Sequence, residues 1–317
     1  MSSYITTMSW VETARPLLVN ELVGQTDLTN DISTWIENDM WPTALLFVGP
    51  SGTGKTSASR IIARSMLGSF YDSMNYIETN GSDDRGIDFV RNDLKDTLRT
   101  KPVGPHRKVI LVDEADGLTT AAQNAARQLI ETYSKNALVI FTANDESKIT
   151  PAIKSRCTVY RFKPISNEEG AARLWDILAS MKLSTISTWG KDLPLLVELM
   201  QGDLRACINL LEVLPRKSDA LEKRLLKLQK LQDENIMEYV ENNEWDKIRN
   251  NLHEGLNDGV PLRNLLQGLY NQIRKKFRYD IMKAYGDVML HIYAWPAGDY
   301  AFCDYLVAKM KEGKKDE

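Results

Sequence analysis

Cysteine and histidine are scarce in this sequence, which contains 3 of each among its 317 residues. Cys157, Cys207 and Cys303 lie far apart, and none of them belongs to a Cys-x-x-Cys pair. Neither the cysteines nor the histidines have the spacing of metal ligands. We therefore expect neither a disulfide framework nor a structural metal site.

Long hydrophobic runs are missing as well. Hydrophobic residues make up 43% of the chain, but no apolar run approaches the roughly 18–20 residues that a membrane-spanning helix needs. The N-terminal stretch MSSYITTMSW has neither the charged start nor the apolar centre of a signal peptide. These features predict an intracellular protein without a membrane partner, in the cytoplasm, the nucleus or the cytoplasm of an infected cell.

Charge of one sign is not in large excess, since the net charge is −3. Any binding of nucleic acid would therefore depend on local basic positions rather than on the field of the whole chain. The length of 317 residues exceeds what one ordinary hydrophobic core covers, and it predicts two or three domains.

A glycine-rich motif is the strongest chemical signal that is present. The stretch ALLFVGPSGTGKTSASRIIARSML, residues 44–67, predicts a strand, a turn and a helix. Its turn matches the pattern GxxxxGK followed by Ser or Thr, in which glycines let backbone N–H groups surround a phosphate. We expect Lys55 to reach the β- and γ-phosphates of ATP and Thr56 to bind Mg²⁺. The predicted phosphate-binding residues are Gly49, Pro50, Ser51, Gly52, Thr53, Gly54, Lys55 and Thr56.

Polar residues follow two further predicted strands. KVILVDEAD ends in Asp113 and Glu114, and ALVIFTAND ends in Thr142 and Asn144. Because carboxyl ends of strands meet at the ligand edge of an open α/β sheet, Asp113 is expected to hold Mg²⁺ and Glu114 to polarise the attacking water. Asn144 would hydrogen-bond the γ-phosphate and this water, or else simply form a turn. Strands starting at Leu45, Tyr76, Val109, Leu138 and Thr158 predict a five-stranded, mostly parallel sheet covered by helices.

Two arginines outside these strands call for an anionic partner. Asp203 is suited to cap a helix that carries Arg205 in its first turn, where the helix dipole disfavours a cation by a few tenths of a kcal/mol. Arg205 is therefore expected to contact the γ-phosphate, with a surface salt bridge as the alternative. Arg156, in the sequence Ser-Arg-Cys, would project from the flank of the sheet, away from its own phosphate loop. We expect it to act on the nucleotide of a neighbouring subunit, where such an arginine contributes about 10³–10⁵ in rate.

The phosphate loop, DEAD, TAND, SRC and GDLR occur in this order, and the set resembles AAA+ sliding-clamp loader subunits of the replication factor C small-subunit type. The likeness runs from Ala14 to about Leu214. It implies an α/β fold in which a RecA-like AAA+ P-loop domain (1–163) is followed by a small helical lid domain (164–227) and a helical collar domain (228–317). It also implies ATP and Mg²⁺ as cofactors, and as partners a sliding clamp, primer-template DNA and other loader subunits in a pentameric ring.

The resemblance assigns roles to three further sets of residues. Gln123 and Arg127, four residues apart, are expected to couple DNA binding to the ATP site, although a solvated helix face remains the alternative. The chain departs from the family at Ala14, where tyrosine is frequent, and at Gln128, where many relatives have arginine. The sets are Arg15, Val23 and Gly24 beside the adenine, Arg85, Gly86 and Ile87 on DNA phosphates, and the coupling pair Gln123 and Arg127.

Two further segments are candidates for contacts with partners. The loop 99–108 is a candidate for contact with the clamp, and the basic cluster at 274–278 either touches DNA or covers a solvated helix face.

Three other functions are alternatives: a different AAA+ motor such as a branch-migration helicase, a non-hydrolysing structural subunit, and a small-molecule P-loop kinase. Intact Lys55, Asp113 and Glu114 disfavour the second, and a kinase has no use for Arg156. DEAD-type helicases are disfavoured because nothing after residue 165 predicts a second sheet.

Overall fold

The structure is a computed structural model that describes residues 9–82, 90–181, 186–233, 236–258, 260, 262–275, 279–289 and 298–314. The chain divides into two compact units. Unit 1 comprises Met1–Arg173 with Gly202–Arg205, and unit 2 comprises Leu174–Gln201 with Ala206–Glu317. The three domains expected from the sequence, with boundaries after residues 163 and 227, stay a prediction.

Unit 1 is built on one five-stranded sheet. The strands are Ala44–Val48 (β1), Tyr76–Asn80 (β2), Lys108–Asp113 (β3), Ala137–Ala143 (β4) and Thr158–Arg161 (β5). Their order in the sheet is β2-β3-β4-β1-β5, and every pairing is parallel. Each strand starts within one residue of its predicted start, so the predicted sheet is confirmed.

The apolar character of β1, β3 and β4 follows from burial on both faces of the sheet. Successive side chains of a strand point to opposite faces. Leu46 and Ile110 accordingly pack into one hydrophobic cluster, and Phe47 and Leu111 pack into the other. A parallel sheet covered on both faces needs such continuous apolar strands.

Helices cover both faces of this sheet. One face packs against Thr26–Asn38 (α2) and Lys55–Leu67 (α3), and the other against Thr120–Tyr133 (α5). A capping hydrogen bond from the backbone N–H of Ala122 to Thr119 Oγ1 (3.2 Å) begins α5. The remaining helices of unit 1 are Trp10–Thr13 (α1), Lys95–Arg99 (α4), which continues a π-helical turn at Val90–Leu94, Pro151–Lys154 (α6), and the first part of Asn167–Ser180 (α7).

The regular elements that the structure describes in unit 2 are helical, which confirms the predicted helical C-terminal region. Trp189 is fully buried there, and its indole N–H donates to the backbone oxygen of Lys217 (3.1 Å). None of the described helices has both the length and the apolar composition required to cross a membrane. The helices are Ile186–Trp189 (α8), Leu193–Leu199 (α9), Leu204–Val213 (α10), Ala220–Asp233 (α11), Ile236–Glu241 (α12), Trp245–Asn257 (α13), Leu262–Lys275 (α14), Tyr279–Met289 (α15) and Asp299–Gly313 (α16).

Helix α2 offers a matched test of this packing. Ile32 is 0% exposed in the core, whereas Ile36, one turn later, is 45% exposed. We expect Ile32→Ala to lower the free energy of unfolding by about 2–5 kcal/mol, because it leaves a cavity, and Ile36→Ala by less than about 1 kcal/mol. Urea denaturation followed by circular dichroism measures both. Equal losses would contradict a buried Ile32 beside an exposed Ile36.

Candidate nucleotide-binding and catalytic site

The phosphate loop has a backbone shape that only glycines permit. Gly49, Gly52 and Gly54 have φ angles of 150°, 70° and 98°, a range that side chains disfavour. A Cβ atom on Gly49 would also overlap the backbone oxygen of Phe162, just after β5. Helix α3 begins at Lys55, so its N-terminus lies directly at the end of the loop.

Lys55 lies inside this loop and is 7% exposed. Its ammonium group donates to the backbone oxygens of Gly49 and Pro50 (2.7 Å each) and to Oδ1 of Asn144 (2.9 Å). Burial, together with the nearby charge of Arg205, lowers the pKa of Lys55 to about 8, although Asp113 opposes the shift. The structure therefore brings Lys55 and Asn144 together, as expected if both serve one phosphate group.

The two predicted magnesium ligands also meet. The hydroxyl of Thr56 donates to Oδ2 of Asp113 (3.0 Å), and Asp113 accepts a second hydrogen bond from the hydroxyl of Thr142. A hydroxyl and a carboxylate are the hard oxygen ligands that Mg²⁺ prefers, with nucleotide phosphates and water completing its shell. These residues fit a magnesium–nucleotide complex.

Glu114, directly after β3, has a left-handed backbone with φ of 53°. Its N–H donates to Thr142 Oγ1 (3.0 Å), and its Oε2 lies 2.6 Å from the hydroxyl of Ser82. Sequence reasoning missed Ser82. Its position after the predicted strand β2 could have indicated Ser82. The register pairs Asn80 with Asp113, which brings Ser82 beside the end of β3.

Asp116, the last residue of the DEAD stretch, was also missed. Its Oδ2 accepts hydrogen bonds from the backbone N–H groups of Asn144 (3.3 Å) and Asp145 (3.2 Å). This carboxylate therefore holds the start of the loop after β4, where Asn144 points to Lys55.

The segment around Arg205 belongs to unit 1 and contacts the phosphate loop. Ser51 donates a hydrogen bond from its hydroxyl to Oδ2 of Asp203 (3.0 Å). Helix α10 begins at Leu204, as expected if Asp203 precedes it as a cap. Arg205 lies near enough to Lys55 for its charge to lower the lysine pKa. Its predicted role on the γ-phosphate has this location in its favour.

The predicted adenine-side segment lies beside the loop. A Cβ atom on Gly54 would be 3.0 Å from Leu22, and Gly24, with φ of 75°, packs against Ile165. Val23, between Leu22 and Gly24 in the sequence, is half-buried. Arg15 is held by Glu12, with its Nε 3.1 Å from Oε2.

Gln123 and Arg127 differ sharply in environment. Gln123 is 2% exposed, and its side-chain N–H groups donate to the backbone oxygens of Leu118 (3.2 Å) and Lys148 (2.9 Å). Its Oε1 accepts from the N–H of Thr150 (2.8 Å). A solvated face is therefore the wrong description for Gln123, because the loop after β4 covers this end of α5. Arg127 is exposed, with its Nε 3.9 Å from Oε1 of Glu131.

Arg156 also pairs with Glu131 of α5. The side chain of Arg156 is 45% exposed, and its hydrogen bond to Glu131 lowers the pKa of that carboxylate. Exposed ion pairs contribute little to stability, so this contact is easily exchanged for another. Cys157, which follows, is half-buried, and burial raises the pKa of its thiol to about 12.

The predicted DNA-binding residues Arg85, Gly86 and Ile87 lie outside the described residues, as do positions 276–278 of the basic cluster. The loop 99–108 is described. Arg107 in this loop donates to the backbone oxygens of Trp41 and Pro42 (2.9 Å each), which ties the loop to the segment before β1.

Comparison with known proteins identifies similar chains. Residues 45–165 match the family described as ATPase family associated with various cellular activities (AAA). Over 206 residues the chain is 41% identical to replication factor C subunit 3 of Saccharomyces cerevisiae, covering 65% of this chain and 59% of the relative. It is 38% identical over 218 residues to the replication factor C small subunit of Methanococcus maripaludis, covering 68% of each chain. For the same-named protein of Methanoregula boonei, the identity is 39% over 204 residues, covering 64% of this chain and 62% of the relative.

The hydrogen bonds of Gln123 make a direct prediction. Gln123→Ala should lower the free energy of unfolding by about 1–3 kcal/mol, because backbone groups at Leu118, Lys148 and Thr150 lose their partner on the buried Gln123 side chain. Gln128→Ala, on the same helix but exposed, should change it by less than about 0.5 kcal/mol. Thermal or urea denaturation measures both. A Gln123→Ala chain as stable as the Gln128→Ala chain would contradict the buried arrangement.

Proposed function

Because the chain belongs to the replication factor C small-subunit family of AAA ATPases, we propose that it is an ATPase subunit of a sliding-clamp loader. It would use ATP binding and hydrolysis to open a ring clamp and load it onto primer-template DNA. One observation carries the proposal. At one edge of the sheet Lys55 bonds Asn144 and Thr56 bonds Asp113, while Arg156 pairs with Glu131 on helix α5.

In this proposal each residue at the sheet edge has one task. The phosphate loop and Lys55 bind the β- and γ-phosphates, and Glu114 orients and polarises the attacking water. Asn144 and Arg205 contact the γ-phosphate. Thr56 and Asp113 would hold Mg²⁺, which neutralises charge on the phosphates when bound. Arg15, Val23 and Gly24 would form the adenine side.

Arg156 would complete the site of a neighbouring subunit. Its guanidinium group would leave Glu131 and meet the neighbour's γ-phosphate, where it stabilises charge in the transition state. A chain whose arginine serves another subunit is inactive alone. We therefore propose a ring of loader subunits, pentameric as in the resemblance, in which ATP lies between neighbours.

DNA and the clamp would be recognised by separate surfaces. Arg85, Gly86 and Ile87 would contact the phosphate backbone, which carries no sequence information and suits a protein that acts at any primer end. Gln123 and Arg127 would couple DNA binding to the ATP site. The loop 99–108 is our candidate for clamp contact. Such work takes place with the DNA, in the cytoplasm or nucleus. A branch-migration motor is not favoured by the relatives.

Clamp loading makes a prediction for the ATPase rate of the assembled loader. Clamp and primed DNA together should raise the rate at least about 10-fold over either alone, because complete sites form only when all partners are bound. A coupled assay of phosphate release measures this. Hydrolysis that is indifferent to clamp and primed DNA together would contradict the clamp-loading function.

Action in trans has its own test. Arg156→Ala and Lys55→Ala chains should each lose about 10³-fold or more in hydrolysis. A mixture should regain part of it, since the Lys55→Ala chain supplies Arg156 to the intact phosphate loop of the other. Arg161→Ala removes another exposed, ion-paired arginine, which bonds Glu146 (2.8 Å), and should leave hydrolysis within about 2-fold. A mixture no more active than its components would contradict an arginine supplied in trans.

A further inference from the structure

The hydrogen bond between Ser51 and Asp203 joins two parts of unit 1 that are 152 residues apart in sequence. Ser51 lies in the phosphate loop, and Asp203 directly precedes helix α10. A Cβ atom on Gly52 would overlap the carboxylate of Asp203. The carboxylate therefore rests on the loop at a point that only glycine leaves open.

A second contact fixes the same segment one residue earlier. Gly202 has φ of 77°, and a Cβ atom there would lie 2.6 Å from the backbone N and O of Ile165. The backbone of Gly202 therefore lies against the backbone of Ile165. The carboxylate of Asp203 lies against the phosphate loop. Two adjacent fixed points leave little freedom to the residues that follow, up to Arg205.

Arg205 follows Asp203 by two residues. Oδ2 of Asp203 lies 3.0 Å from the hydroxyl of Ser51, inside the loop that would bind the phosphates. A carboxylate this close to a phosphate loop repels a bound triphosphate. Some other contribution of Asp203 must therefore compensate for this repulsion. The residue that Asp203 positions, Arg205, is a cation.

We infer that Asp203 is a positioning residue for the proposed ATPase site: through its hydrogen bond to Ser51 it holds Arg205 where the γ-phosphate of ATP binds. This inference rests on the proposed function, because it assigns Arg205 to the γ-phosphate. The Ser51–Asp203 bond then serves to distinguish ATP from ADP. ADP lacks the phosphate that Arg205 would meet, so its affinity should not depend on the bond.

The test compares the affinities of ATP and ADP for the full chain by fluorescence titration at fixed Mg²⁺. Ser51→Ala should weaken ATP binding about 10-fold, as for a lost hydrogen bond to a charged group, and change ADP binding less than about 2-fold, because alanine keeps the backbone N–H of the loop. Asp203→Ala should weaken ATP binding relative to ADP binding, since it loses the same hydrogen bond but also removes a charge that repels both nucleotides. Asp203→Asn keeps an acceptor for Ser51 but removes the repelling charge. It should preserve the preference for ATP that Asp203→Ala loses.

Arg205→Ala provides the decisive comparison. If the bond acts through Arg205, Ser51→Ala should weaken ATP binding no further in the Arg205→Ala chain, since coupled residues are not additive. Ser33→Ala removes a hydroxyl on the exposed side of α2 that donates to the backbone oxygen of Thr29 (2.9 Å), and it should change neither affinity. Thermal unfolding of each variant verifies that it folds.

The outcomes separate the two proposals. Equal weakening of ATP and ADP by Ser51→Ala, or full additivity with Arg205→Ala, would overturn the positioning role and leave the ATPase function standing. An unmodified chain that binds no ATP would overturn both.

Discussion

A buried ammonium group must be surrounded by oxygen atoms, and this requirement organises the functional edge of unit 1. Lys55 gives up most of its water and replaces it with the backbone oxygens of Gly49 and Pro50 and the side chain of Asn144. A charged group buried without such partners would cost several kcal/mol. Gly49, Gly52 and Gly54 have positive φ angles, which explains why glycine is needed at these loop positions.

The order of the strands decides which residues can meet this lysine. Since all strands run parallel, their carboxyl ends share one edge. β1 lies next to β4, so the phosphate loop and Asn144 are neighbours, and β3 on the other side of β4 brings Asp113 to Thr142. Segments that are far apart in the chain therefore form one site without any long loop.

Two reactive side chains are engaged within their own chain. Glu114 lies against Ser82, and Arg156 pairs with Glu131. In the proposed function both contacts must be exchanged before hydrolysis, one for water and the other for a neighbour's phosphate. The exposed ion pair of Arg156 is weak, so assembly need not overcome a large energy to release it. Such an ATPase would wait for its partners rather than hydrolyse ATP continuously.

The sequence by itself determined the phosphate loop, the five strands and the polar residues at their ends, because these signals are local: glycine spacing, continuous apolar runs and the residue that follows each run. Only the tertiary structure decided that Gln123 is buried, that Ser82 lies against Glu114, and that Ser51 bonds Asp203. These contacts, from Gln123 to Thr150, from Ser82 to Glu114 and from Ser51 to Asp203, join residues 27, 32 and 152 positions apart. A single sequence carries no local pattern for such contacts, since their energy comes from groups that are neighbours only after the sheet has formed.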